Sequence, residues 1–130
     1  MVLAVPNEFE LLRARLQRFA DARDWGKFHS PRNLALALAG EVGELTAELQ
    51  WVADDEVADH LRDPAARARL ADEVADVLLY LVRFADVCGI DVLAEAHAKI
   101  DRNETRFPPS LPRAIPPGRG GPTRPGPPAG

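Results

Sequence analysis

Residues 34–52, LALALAGEVGELTAELQWV, limit the possible folds more than any other stretch of the chain. At helical spacing the apolar residues fall on almost every side, so this helix has to be covered from several directions rather than along one stripe. Its second half nevertheless carries Glu41, Glu44 and Glu48. Carboxylates resist desolvation unless something answers their charge. A central helix that keeps acids among apolar neighbours therefore implies a helical bundle with a purpose for those acids.

The punctuation along the rest of the chain agrees. Asn7 followed by Glu10 has the form of a capping box, and Leu12, Leu16 and Phe19 recur behind it, which predicts a first helix over 7–23. Ser30-Pro31 pairs a good N-cap with a residue suited to the first turn, so the second helix is expected over 31–52. DDE at 54–56 starts a short helix ending near Arg62, and Asp63-Pro64 opens a long one that runs to Cys88 and stops at Gly89. Asp91 caps a last helix, which ends before Phe107-Pro108-Pro109 because a residue preceding proline is pushed out of the helical region. Strand alternation is absent. The predicted class is all-α, a bundle of helices with short connections, occupying residues 1–106.

From 107 onward, nine prolines and five glycines fill 14 of 24 positions, a composition that predicts a disordered tail over 107–130. That tail holds Arg113, Arg119 and Arg124 and no acid. The overall charge of −4 thus hides an acidic body in which the remaining 13 basic groups face 20 acids, a net −7. Such a body is a poor partner for a nucleic acid polymer or an anionic membrane, and a phosphate substrate would need a bridging cation. No stretch approaches the ~18 apolar residues of a membrane span, and a cytoplasmic setting is expected. Cys88, the one cysteine, reads as a small core residue.

Five pairs of acids lie three residues apart, at 21/24, 41/44, 56/59, 73/76 and 101/104, so spacing alone selects nothing. Surroundings do. Glu41 and Glu44 lie between Leu38, Val42, Leu45 and Leu49, while Glu73 and Asp76 lie among Leu70, Val74, Val77, Leu78 and Leu81. Residues at i and i+3 share a helix face, so each helix can aim two carboxylates in one direction. Four such groups repel without a counter-charge. Mg²⁺ resolves the conflict, since it prefers oxygen ligands and leaves room for substrate phosphates. Glu48, one turn after Glu44, could join them. Gly40 and Gly43 beside the acids suggest close approach by another backbone or a ligand. A di-iron bundle would need Glu-x-x-His pairs. Three residues before His29, His60 and His97 stand Gly26, Val57 and Ala94, so that reading lacks ligands.

Glu41-Val-Gly-Glu44, then 28 residues, then Glu73-Val-Ala-Asp76 resembles the E-x-x-E…E-x-x-D signature of the all-α MazG-like nucleoside triphosphate pyrophosphohydrolases. The words RDW-x-x-FH-x-PRN, GEVGEL, QW, E-x-x-D-V-L-x-Y-L-V and K-x-D-x-N are similar to the dCTP pyrophosphatase branch. The likeness covers roughly residues 8 to 108. It implies hydrolysis of dCTP to dCMP and pyrophosphate, with Mg²⁺ held by Glu41, Glu44, Glu73 and Asp76; a carboxylate not fully committed to the metal can take the water's proton, which makes Glu44 or Glu41 the candidate base. It also implies that Trp25, Trp51 and Tyr80 help form the base pocket, partly across the subunits of a homotetramer, and that Lys99 and Asn103 lie near the nucleotide. His29 joins the substrate-binding set, although its place before the Ser30 cap equally predicts a local hydrogen bond. One departure stands out: Leu16 occupies a position where some relatives carry a histidine. Two rivals remain open on sequence, a pyrophosphohydrolase for dUTP or another noncanonical nucleotide, and a non-enzymatic helical assembly module.

Overall fold

The computed structural model describes residues 4–109. Among these, every regular element is helical: α1 (Glu8–Ala22), α2 (Pro31–Ala47), α3 (Val57–His60), α4 (Pro64–Val87) and α5 (Val92–Arg106), with single 3₁₀ turns at Gly26–Phe28 and Asp54–Glu56. The predicted tail over 107–130 lies outside the described residues beyond position 109. The chain divides into two units, Met1–Glu95 and Ala96–Gly130. The first holds α1 to α4 and the opening turn of α5. The described part of the second is the rest of α5 and residues 107–109.

The four longer helices begin where the sequence supplies a cap, whereas α3 has no side-chain cap bond. The Asn7 side chain accepts from Glu10 N–H at 2.9 Å, Ser30 from Asn33 at 3.1 Å, Asp63 from Ala65 at 3.1 Å and Asp91 from Ala94 at 3.1 Å. The ends are equally specific. α4 closes on Gly89 at φ +67°, where Ile90 N–H reaches the Ala85 carbonyl at 2.8 Å and Gly89 N–H reaches that of Asp86 at 3.1 Å, a complete Schellman motif. α1 closes in the same way on a non-glycine residue. Asp24 adopts φ +54°, with Trp25 N–H on the Ala20 carbonyl at 3.0 Å and Asp24 N–H on that of Asp21 at 3.1 Å.

α2 is five residues shorter than its pattern predicts. Thr46 Oγ1 donates to the Val42 carbonyl at 2.8 Å, a competing bond that weakens the helix locally, and the chain then tightens into i→i+3 turns at Leu49 and Val52. Residues 48–52 are therefore turns, and Trp51 stands on them at 88% exposure.

In the first unit α2 packs along α4, and α1 packs on α4 more sparingly. Among the described residues the wholly buried apolar ones are few: Ala20, Leu34, Ala66, Val82 and Ala85. Cys88 is exposed at the end of α4 rather than in this core, because the helix stops there. Many large apolar side chains also remain uncovered, among them Leu36 at 61%, Phe28 at 59% and Val74 at 51%. A Cβ added at Gly40 or Gly43 would meet nothing within 4 Å. The close backbone approach expected at these glycines is thus not made within the described residues of one chain.

Candidate active site

Three of the four expected acids converge. One carboxylate oxygen each from Glu41 on α2 and from Glu73 and Asp76 on α4 lie within 4.8 Å of one another. All three are half-buried, held there by the packing of α2 along α4. Glu73 Oε2 is buried and has no hydrogen-bond partner among the described residues. Burial first, and then the charges of Glu41, Asp76, Glu44 and Asp72, raise its pKa from the ordinary glutamate value. A buried acceptor without a donor, facing two further carboxylates, fits a hard oxygen-binding cation. Glu44 stays exposed and outside this set, although its charge reaches Glu73. Glu48 is bonded instead to Arg69, whose Nε donates at 3.3 Å.

Beside the acids lies a cavity of about 270 Å³ lined by Leu16, Phe19, Trp25, His29, Leu34, Tyr80 and Arg83, with Asp76 on its wall. Asp76 therefore belongs to both the acid cluster and the cavity. A larger hollow of about 470 Å³ surrounds Arg13, Asp86 and Ile90, but none of Glu41, Glu44, Glu73 or Asp76 lines it, and the chemistry belongs with the smaller one.

Local structure explains the aromatic wall. The Schellman turn at Asp24 directs Trp25 back over α1, where its ring meets Phe19 edge-on at 5.5 Å and His29 at 6.3 Å. Tyr80 follows Asp76 by four residues on α4 and so shares its face. Leu16 reaches the same cavity and offers it no polar group.

Arg83, a residue the sequence motifs did not single out, supplies the polar side. It is 8% exposed and donates from Nε to His29 Nδ1 at 3.0 Å, while its Nη1 lies 3.7 Å from Asp86. Burial, reinforced by the Arg83 charge, holds the His29 pKa below its usual value. The signal for Arg83 was present in the sequence as the one cation inside DVLLYLVRFADVC, seven residues after Asp76 and three after Tyr80.

Trp51 is not among the residues lining the cavity. Lys99 and Asn103 stand one turn apart on α5, both in the second unit.

The helical fold, with carboxylates from two packed helices meeting an aromatic cavity, defines an all-α pyrophosphohydrolase type of protein. No family model matches the chain. A solved pyrophosphatase from Archaeoglobus fulgidus superposes with a TM-score of 0.75 at 33% identity, covering 83% of this chain and 99% of that one. The chain is 44% identical over 104 residues to dCTP pyrophosphatase 1 of Bos taurus, and 45% identical over 105 residues to that of Homo sapiens. These matches take in 80% and 81% of this chain, which spans 62% of the length of each curated relative. The chain belongs to the MazG-like all-α pyrophosphohydrolases, in the branch of the dCTP pyrophosphatases.

Proposed function

We propose that the protein is a Mg²⁺-dependent nucleoside triphosphate pyrophosphohydrolase that converts dCTP and water to dCMP and pyrophosphate, and so takes part in control of the cytoplasmic nucleotide pool. The observation that carries this reading is the position of Asp76, shared between a carboxylate cluster and an aromatic cavity. A nucleotide has the same two ends, a polyanion and a flat base. The relatives named dCTP pyrophosphatase support the choice of base.

Glu41, Glu73 and Asp76 would hold the cation. When bound, Mg²⁺ supplies charge neutralisation for the triphosphate and Lewis acidity at the phosphorus under attack. Glu44, exposed one turn from Glu41 and free of the three-acid set, is our candidate to accept the proton of the attacking water. Trp25 and Tyr80 give the base apolar surfaces, and Trp25, 42% exposed, is accessible to it. Lys99 and Asn103 join the substrate-binding set on the resemblance to the family.

The same proposal includes a homotetramer. Leu36, Val42, Trp51, Val74 and Leu78 leave a monomer with much uncovered apolar surface, and Trp51, far from buried, is suited to serve a neighbouring copy.

The reaction is tested by incubating the protein with each deoxynucleoside triphosphate and Mg²⁺ and separating the products. We expect dCMP and pyrophosphate. Release of dCDP and orthophosphate would overturn the reaction, and hydrolysis of dUTP in preference to dCTP would overturn the substrate.

A further inference from the structure

We propose that Arg83, with His29 oriented by it, reads the acceptor edge of the base in the cavity and selects cytosine over uracil and thymine. This rests on the nucleotide-hydrolase reading of the site and deepens it.

The first observation is an excess of donors. A guanidinium carries five N–H groups and no acceptor. Arg83 spends one on His29 Nδ1 at 3.0 Å, and its Nη1 lies 3.7 Å from Asp86, beyond hydrogen-bond distance. No other hydrogen bond from it is made among the described residues, although the residue is 8% exposed and lines the cavity. Its free Nη groups are not sealed from solvent, so they stay available to an acceptor that enters the cavity.

The second is the state of His29. Because Nδ1 accepts from Arg83, the ring proton of the neutral imidazole sits on Nε2. His29 lines the same cavity, so it too can present a donor there. Leu16 contributes nothing polar, and the charged acceptor of the wall, Asp76, belongs to the acid cluster.

The third is register. Glu73, Asp76, Tyr80 and Arg83 follow one another at spacings of three, four and three residues, which keeps them on one face of α4. A nucleotide whose phosphates lie at the acids and whose ring lies at Tyr80 brings the edge of its base to Arg83. Cytosine offers two adjacent acceptors, O2 and N3. Uracil and thymine carry a proton on N3 and would set a donor against donors, a mismatch that a site built for hydrogen bonding rejects strongly.

The test measures kcat/KM for dCTP, dUTP and dGTP, and calorimetric binding of dCMP and dUMP, for the wild type and for Arg83→Met and Arg83→Lys. For Arg83→Met we expect the dCTP value to fall roughly 10- to 100-fold, the range for losing a hydrogen bond to a charged group, with dUTP changing less than about threefold. Arg83→Lys should recover part of the dCTP to dUTP ratio. An unchanged ratio, with all substrates falling together, would mean that Arg83 only supports the fold and would overturn the inference. A loss for dGTP comparable to that for dCTP, with dUTP unmoved, would also support the inference, since guanine presents adjacent acceptors at O6 and N7. If Arg83→Met does not fold, the wild type decides through 2-thio-dCTP, whose sulfur accepts weakly. A roughly tenfold or greater loss relative to dCTP supports the inference, and parity overturns it. Failure of the enzyme reading is distinct. Wild-type protein that binds dCMP over dUMP yet hydrolyses nothing would overturn the reaction and support the base reading, whereas equal binding of the two would overturn the base reading.

Discussion

At Glu73 one buried oxygen lacks a partner and neighbouring acids surround the group, so its ionised form is strained in the metal-free protein. Replacing Glu73 with Gln should therefore leave the metal-free melting temperature unchanged or higher at pH 7, while hydrolysis falls to below about a hundredth of wild type. Mg²⁺ with nucleotide should raise the wild-type melting temperature more than that of Glu73→Gln, because only a ligand of the native state stabilises it. Solvated acids without a metal role would give little change in any of these quantities. His29 makes an opposite kind of pH prediction. Its folded pKa lies below the unfolded value of about 6.5, so its contribution to stability is present above that pH and is lost as pH falls below it toward the folded value. Calorimetric scans from pH 7.5 to 5.5 should show a steeper loss for wild type than for His29→Gln, and parallel losses would exclude the assigned neutral state. The acids were legible at this scale because carboxylates among apolar helical neighbours demand a reason. Arg83 escaped notice because it belongs to no spacing motif, and its importance comes from burial against His29, 54 residues away in the chain.

The helices themselves were legible wherever caps speak locally. Asn7, Ser30, Asp63 and Asp91 mark starts and Gly89 marks a stop, and each makes the hydrogen bonds its residue type predicts. The end of α2 was not, since a periodic apolar pattern continues past Thr46 while the backbone does not. Asp24 is the informative exception among the stops, a β-carbon held at φ +54° where glycine is the usual choice. Asp24→Gly should stabilise the protein by roughly 0.5–1 kcal/mol by relieving the left-handed conformation. Chemical denaturation measures this, and a destabilisation would mean that the exposed Asp24–Lys27 pair at 2.8 Å outweighs the strain. The same turn sets Trp25 against Phe19, so the cavity wall depends on a helix terminus rather than on the core.

Among the described residues, the few buried apolar side chains and the open glycines of α2 leave much of the apolar surface uncovered by the chain itself. Light scattering should report a multiple of 14.2 kDa at micromolar concentration, four times this value for the proposed assembly. A monomer would refute it. The sequence pattern of α2 already implied missing cover, because a helix apolar on most sides exceeds what α4 alone can bury. Which faces stay open could be learned only from how far α1 and α4 reach. One feature of α4 bears on how such a protein can change over generations. Its 24 residues carry the clustered acids Glu73 and Asp76 near the middle and the cavity-lining Tyr80 and Arg83 toward the end, on one uninterrupted rod. A single inserted residue between Asp76 and Tyr80 would turn everything beyond it by about 100° and separate the two functions, so length there is constrained. Substitution is not. On the proposed reading, substitutions at positions 80 and 83 change which base fits while Glu73 and Asp76 keep the acidic end as it is, so selectivity can evolve separately from the chemistry.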